Sequence, residues 1–147
     1  MNALELLKAD HKKVASLFDR VEKTESEKEH LKLFEQIKTE LEAHAYIEET
    51  VLYPKLRGYE ELKDMVLEAL EEHKQVKTLI REIDGLVEGS ERLDAKLTVM
   101  GENVEHHVDE EENEMFPKVK ELMSEEELEE LGAQLQAAKK EALSAKA

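Results

Sequence analysis

His11, His44 and Glu48 are followed about 62 residues later by His73, His107 and Glu111, so one histidine-and-carboxylate pattern runs through the chain twice. A chain patterned this way has to fold as two matching halves. The first copy opens Asp10-His11-Lys12-Lys13-Val14, with Leu17 three places on; the second reads Glu72-His73-Lys74-Gln75-Val76, with Leu79 in the matching place. Further along, His44-x-x-x-Glu48-Glu49-x-x-x-Tyr53-Pro54-Lys55-Leu56 is mirrored by His107-x-x-x-Glu111-Glu112-x-x-x-Phe116-Pro117-Lys118-Val119. The doubling predicts two helical hairpins facing each other, each bringing two His and one Glu.

With 147 residues and 40% hydrophobic content, the chain can bury one compact core. Only five Gly and two Pro interrupt a composition dominated by helix formers, so strands are not expected. Apolar residues recur at helical spacing in four stretches. Leu4, Leu7, Val14, Leu17, Phe18 and Val21 mark the first, over residues 3 to 23. A capping box at Ser26 and Glu29 starts the second, with Leu33, Ile37, Leu41, Ile47 and Val51 inward and a stop or kink near Pro54. The third runs from about Glu60 to Val87 with Gly89 as its cap, on Leu62, Val66, Leu70, Val76, Ile80 and Ile83. The fourth follows a cap at Ser90, carries Leu93, Leu97, Met100, Val104, Val108 and Met115, and is disturbed at Pro117. Short turns between them predict an all-α fold, an up-down-up-down antiparallel four-helix bundle over 1–122. Residues 123–147 hold a further capping box, Ser124 to Glu127, followed by Leu128, Leu131 and Leu135. They are expected to form a short fifth helix that covers one end of the bundle and frays at its terminus.

The absence of Cys excludes disulfides, thiolate metal sites and cysteine nucleophiles. A formal net charge of −16 argues against nucleic acid and against anionic membrane surfaces, and favours cations as partners. No basic segment precedes an apolar run at the N-terminus and no stretch approaches 18 apolar residues, so the expected location is cytoplasmic. A monomer or weak homodimer is expected.

Residues four apart on a helix share a face, so His44 with Glu48 and His107 with Glu111 each form a two-point claw. Leu41 and Ile47 flank His44, Leu70 and Val76 flank His73, and Val104 lies one turn before His107, which turns these histidines toward the core. One such pair on so acidic a chain would read as a surface ion pair; its repetition on matched helices does not. Four imidazoles and two carboxylates cannot stay buried unpaired, because an isolated buried carboxylate costs several kcal/mol or neutralises. Neutral imidazole with carboxylate is the ligand set of Fe, Mn and Zn, and six groups exceed the four that a structural zinc takes, which points to two metal ions. At about six-coordinate geometry roughly twelve places need filling; the six side chains and a shared oxygen leave about two for water or a small ligand. His30 fits no such pattern and is expected to face solvent. His106 lies about 100° from the inward face and is expected in the outer shell or at the surface; Glu49 and Glu112 are also off it and are expected in solvent, with an outer-shell role as the alternative.

This set of residues resembles the hemerythrin-like family, also called the HHE cation-binding domain, over about residues 3 to 140. The family pattern is one His on each of four helices with H-x-x-x-E on the second and fourth. The resemblance implies a non-haem di-iron centre, with His11, His44, His73 and His107 as terminal ligands and Glu48 and Glu111 bridging. Mn or Zn are alternatives to the two Fe ions. The family's oxygen carriers have a further His one turn after the third-helix ligand, where this chain has Lys77. That departure speaks against reversible oxygen carriage and leaves one more place open. Ferritin-like bundles use Glu-x-x-His, and no inward pair here has that spacing.

Two functions compete at this stage. One is a di-iron protein that binds dioxygen or a related small ligand, for sensing, buffering or carriage, in a pocket lined by Val14, Phe18, Ile47, Val76, Ile80 and Val104. The other is a di-iron enzyme of peroxide or nitric-oxide detoxification, supplied with electrons from outside. A metal-free structural bundle is the third reading.

Overall fold

The computed structural model describes residues 1–145. Helix α1 spans Ala3–Glu22 and α2 spans Glu27–Ile47. A π-helical turn, Glu48–Leu52, joins α2 to the short α3, Tyr53–Leu56. After a 3₁₀ turn, Glu60–Leu62, comes α4, Lys63–Asp84. Helix α5, Leu93–Glu110, passes through a second π turn, Glu111–Met115, into α6, Phe116–Leu122, and α7 closes the fold at Glu125–Ala145. With α2 and α3 as one arm and α5 and α6 as another, the first four arms make the expected antiparallel bundle.

Local signals start these helices as the sequence suggests, with some displacement. Ser124 and Glu127 form a reciprocal capping box at 2.9 and 3.1 Å. At α2 the side chain of Ser26 accepts from the Glu29 N–H at 3.3 Å. A third box, Asn2 with Glu5 at 2.9 Å in both directions, opens α1 and was not anticipated. Helix α4 ends at Asp84, before Gly89, whose φ of 79° serves a turn in the following loop instead of a helix cap. Arg92, not Ser90, is the residue flanking α5.

Neither proline ends its arm. In a regular helix Pro54 would leave the Thr50 carbonyl without a donor and press against it. The turn before it is widened instead, and the Tyr53 N–H donates to Glu48 O, five residues back. Pro117 has the same setting, with the Phe116 N–H donating to Glu111 O. Both widened turns begin at a motif glutamate.

The apolar side chains form two separate clusters. One joins Leu4, Leu7, Ile47, Leu52, Leu56, Leu62, Val66, Phe116 and Val119 with Leu128, Leu131 and Leu135 of α7. The other joins Val14, Leu17, Leu33, Phe34, Ile37, Ile80, Ile83, Leu97, Met100 and Val104. Along each arm the motif residues fall between the two: His11 lies between Leu7 and Val14, and His44 between Ile37 and Ile47. A polar layer thus crosses the bundle between two hydrophobic blocks.

The C-terminal helix packs against α1, α2 and the first π turn, and its 21 residues make it as long as α2. Gly132 lets it approach the N-terminal backbone, since a Cβ there would stand 2.6 Å from Met1 O. The terminal pair 146–147, where fraying was expected, lies outside the described residues.

Candidate metal centre

All six repeated residues meet in that polar layer, and all are buried. His11 and His44 come together with Glu48 and Glu111; His73 and His107 come together with Glu48 on the other side. Glu48 belongs to both groups. Its Oε2 lies 3.2 Å from His44 Nε2, and its Oε1 lies 3.1 Å from His73 Nε2. Glu111 divides in the same way, with Oε1 at 3.1 Å from His11 Nε2 and Oε2 at 3.4 Å from His107 Nε2. The result is two half-sites joined by two carboxylates, the first around His11 and His44, the second around His73 and His107.

Each imidazole turns Nε2 inward because a carboxylate holds Nδ1 from behind. Asp10 holds His44 at 2.9 Å and Glu112 holds His11 at 2.5 Å. Glu49 holds His73 at 2.7 Å and Glu72 holds His107 at 2.6 Å. These four acids obey the repeat: Asp10 and Glu72 each precede a motif histidine, while Glu49 and Glu112 each follow a motif glutamate. The expectation that Glu49 and Glu112 stand in solvent is therefore corrected. At Glu49 and Glu112 the offset of about 100° falls on the side of the arm that faces a neighbouring helix, where His73 and His11 stand. An acid before the first histidine and after the glutamate of each copy was the sequence signal for them. Carboxylates in this position fix the tautomer and ring orientation of a metal-ligating histidine.

Tyr53 is the residue the sequence reading left without a role. Its hydroxyl is buried within the second half-site, donates to Glu111 Oε2 at 2.6 Å, and lies 3.1 Å from Glu48 Oε1 and 3.4 Å from His73 Nε2. Five positions along a regular helix turn a side chain about 140° away, so the π turn is what brings Tyr53 onto the face of Glu48. In the second copy the matching residue is Phe116, whose ring stacks on His11 at 6.2 Å. The repeat is therefore asymmetric at its centre.

Four buried atoms face one another in pairs at 3.1 and 3.2 Å without a well-formed hydrogen bond among the described residues: His11 Nε2 with Glu111 Oε1, and His44 Nε2 with Glu48 Oε2. They are the inward atoms of the first half-site. Leaving such groups unpaired costs about 1–3 kcal/mol each, and more when they are charged. Two imidazole nitrogens and two carboxylate oxygens converging in this way fit a cation. In the second half-site the Tyr53 hydroxyl donates its one proton to Glu111 Oε2, with Glu48 Oε1 3.1 Å away.

The electrostatics of the metal-free cluster match this donor set. Burial opposes the charged form of His44, yet Glu48 and Asp10 outweigh it and push its pKa up to about 10. Burial likewise opposes charge on His107, and Glu111, Glu48 and Glu72 push its pKa up to about 12. Burial would raise the Glu48 pKa, but His44 and His107 hold it well below the ordinary carboxylate range. Burial and the charges of Glu111 and Glu48 push the Tyr53 phenol well above its ordinary value. Protons thus take the positive-charge role that a metal ion fills after displacing them.

A cavity of about 50 Å³ lies against the histidines, lined by Val14, Val76, Ile80, Val104 and Val108 with Lys77. It matches the expected pocket except that Phe18 and Ile47 are not part of its wall; Ile47 belongs to the opposite hydrophobic block. Lys77 directs its ammonium to Glu49 Oε1 at 2.7 Å and is 44% exposed, so it braces the partner of His73 instead of reaching the centre. His106 is largely exposed and pairs with Glu110 at 2.8 Å, as its off-face position implied. His30 is the clear correction: it is 6% exposed. Its Nδ1 lies 2.8 Å from Asp94, and its Nε2 lies 2.6 Å from the Thr24 carbonyl. It is separated from His44 by about 21 Å of helix and takes no part in the cluster.

A buried His and Glu cluster between the arms of an antiparallel helical bundle defines a cation-binding domain. The chain belongs to the hemerythrin family: the Hemerythrin HHE cation binding domain matches residues 2–119. A hemerythrin HHE cation binding domain-containing protein from Mycobacterium kansasii has a solved structure that superposes with a TM-score of 0.84 at 28% identity, covering 99% of this chain and 89% of that one. Among curated proteins, a DNA nickase of Nostoc sp. is 29% identical over 95% of this chain and 39% of its own length. An uncharacterized hemerythrin-like protein of Schizosaccharomyces pombe is 29% identical over 80% of this chain and 59% of its own length. The chain thus spans 39% and 59% of these two relatives. No helix among the described residues is long and apolar enough to cross a membrane.

Proposed function

We propose that this chain is a non-haem di-iron protein that binds dioxygen or a related small ligand, with His11, His44, His73 and His107 as terminal ligands and Glu48 and Glu111 bridging. The observation that carries the reading is the convergence of four buried atoms without a well-formed hydrogen bond in the first half-site, backed by a second set of the same donors that shares both carboxylates. Four imidazole nitrogens and the four oxygens of two carboxylates, divided between two half-sites, exceed the six places of a single ion. Iron, when bound, supplies reversible electron transfer and open positions for a small ligand; manganese and zinc suit the same donors.

The chain's own residues do the rest. Asp10, Glu49, Glu72 and Glu112 hold the four rings in one orientation, so little rearrangement accompanies metal uptake. The Tyr53 hydroxyl holds a proton at Glu111 Oε2. The valines and Ile80 give the cavity beside the histidines an apolar wall, suited to a small uncharged ligand. The net charge of −16 favours cation uptake and disfavours a nucleic-acid backbone as partner.

One observation favours the alternative, a di-iron enzyme acting on peroxide or nitric oxide. Lys77 stands where the oxygen carriers have their additional histidine, and its ammonium is engaged by Glu49. Anaerobic purification with metal analysis and an optical spectrum, repeated after oxygen, peroxide and nitric oxide, tests both readings. About two iron atoms per chain with a spectrum that responds to one of these ligands is expected; one tightly held zinc at full occupancy would overturn the proposal.

A further inference from the structure

We propose that Lys139, on the C-terminal helix, is a positioning residue of the first half-site: it locks the Asp10 carboxylate against His44, so that docking of α7 and metal occupancy at His11 and His44 reinforce each other. The inference rests on the metal-binding reading above. Asp10 is 5% exposed and divides its two oxygens between two partners. Its Oδ2 accepts from His44 Nδ1 at 2.9 Å, and its Oδ1 accepts from the Lys139 ammonium. With only one partner the carboxylate could rotate about its bond to the chain; with both it is fixed, and it fixes the imidazole ring in turn.

Lys139 lies beyond residues 2–119, the extent of the family match, so this contact is something α7 adds to the domain. The internal repeat sharpens the point. In the second copy Glu72 takes the place of Asp10, holds His107 in the same way, and has His106 within 3.7 Å. The second half-site obtains its lysine differently, from Lys77, which braces Glu49 behind His73 and sits on the same helix as that histidine. Each half-site therefore has one chain of lysine, carboxylate and histidine. Among the described residues the first chain runs across three helices, α7, α1 and α2, whereas the second starts and ends on α4.

Removing Lys139 need not unseat α7. That helix is anchored by buried Leu128, Leu131 and Leu135, by the close approach of Gly132 to the N-terminal backbone, and by the Asn2 to Glu125 bond at 3.2 Å. A variant at Lys139 consequently reports on the relay rather than on folding. Because coupling between two binding equilibria is reciprocal, metal bound at His44 must also protect α7.

The full chain loaded with zinc and mixed with a chromophoric chelator provides the test, read as the two phases of zinc release. Lys139→Gln is expected to speed one phase about threefold to tenfold, less than the 10–100-fold typical of losing a direct partner of a ligand. Lys77→Gln should speed the other phase, the double variant both, and Lys139→Arg should restore the native rate. Zinc loading should slow amide exchange in the second half of α7 in the native chain and not in Lys139→Gln. A native chain that holds two zinc ions while Lys139→Gln releases both at native rates overturns this inference alone. Equal acceleration of both phases, or identical behaviour of the Gln and Arg variants, also overturns it by reducing Lys139 to a structural role. A native chain that cannot hold two ions removes the metal-binding reading and this inference together.

Discussion

The hydroxyl of Tyr53 and the carboxylate of Glu111, 58 positions apart in the chain, meet at 2.6 Å in the centre of the bundle. The bond joins the two copies of the repeat through the one central position where they differ, Tyr53 against Phe116. We expect Tyr53→Phe to fit without strain, because phenylalanine already occupies the matching position. It should nevertheless destabilise the metal-free chain by about 2 kcal/mol, since the buried Glu111 carboxylate loses its donor. Urea denaturation of the metal-stripped protein checks this; an unchanged midpoint would mean that the hydroxyl is dispensable.

Metal content should separate the inward residues from the remaining histidine. A content of about two ions per chain is expected of the native protein; His44→Ala and Glu111→Ala should each lower it, whereas His30→Ala should retain it. Elemental analysis after identical purification decides the matter, and equal loss in all three variants would refute the assignment. His30→Ala should show a different defect, lower thermal stability, because Asp94 and the Thr24 carbonyl lose a shared donor.

The pH dependence of the metal-stripped chain follows from the cluster's own charges. His44 has a folded pKa raised to about 10 from 6.5, so its contribution is complete below 6.5 and is lost as pH rises through 10. Glu48, with a folded pKa far below 4.5, contributes above 4.5 and loses that contribution as pH falls. Stability of the metal-free form should therefore peak between these two unfolded values, near pH 5–6. Metal binding displaces protons, so affinity for zinc should rise with pH, with proton release visible by calorimetry in buffers of different ionisation enthalpy. A metal-free chain that grows steadily more stable from pH 6 to pH 9 would contradict this account.

At the α7 contact, Gly132→Ala places a methyl group 2.6 Å from the Met1 carbonyl, where only backbone can yield. We expect a loss of about 1–3 kcal/mol in a thermal or urea melt. A neutral result would show that α7 sits further from the N-terminal segment.

Lys77→His tests what separates this chain from the family's oxygen carriers. Its ammonium braces Glu49, and a histidine there would exchange that ion pair for a neutral donor one turn beyond His73. We expect the native reduced protein to react quickly with oxygen or peroxide without a long-lived oxygen adduct, and the variant to hold the adduct longer. Stopped-flow spectroscopy distinguishes the cases; a stable, reversible oxygenated species in the native chain would restore the carrier function.

Helix periodicity and the doubled motif were enough to place the bundle and the six inward residues, and the motif's resemblance to a known pattern pointed to the family that the match over residues 2–119 shows. Those features are local: a period of 3.6 residues selects a face, and a pair four apart shares it. His11, His44, Glu48, His73, His107 and Glu111 could be placed on inward stripes from the sequence before any contact between arms was known. What depends on neighbouring arms could not. His30 lies off every motif yet is buried, because the end of α1 and the start of α5 close over it with Thr24 and Asp94. Glu49 and Glu112 point off their own helices' inward faces, and only the packing of α4 and α1 beside them makes them partners of His73 and His11. The π turns that bring Tyr53 beneath Glu48 relieve a proline in a continuous arm, which the sequence marks only as a break. Lys139 sits on a helix whose docking no periodicity specifies. Pairings across 24, 101 and 129 positions are decided by how whole helices pack, not by the residues beside them in the chain.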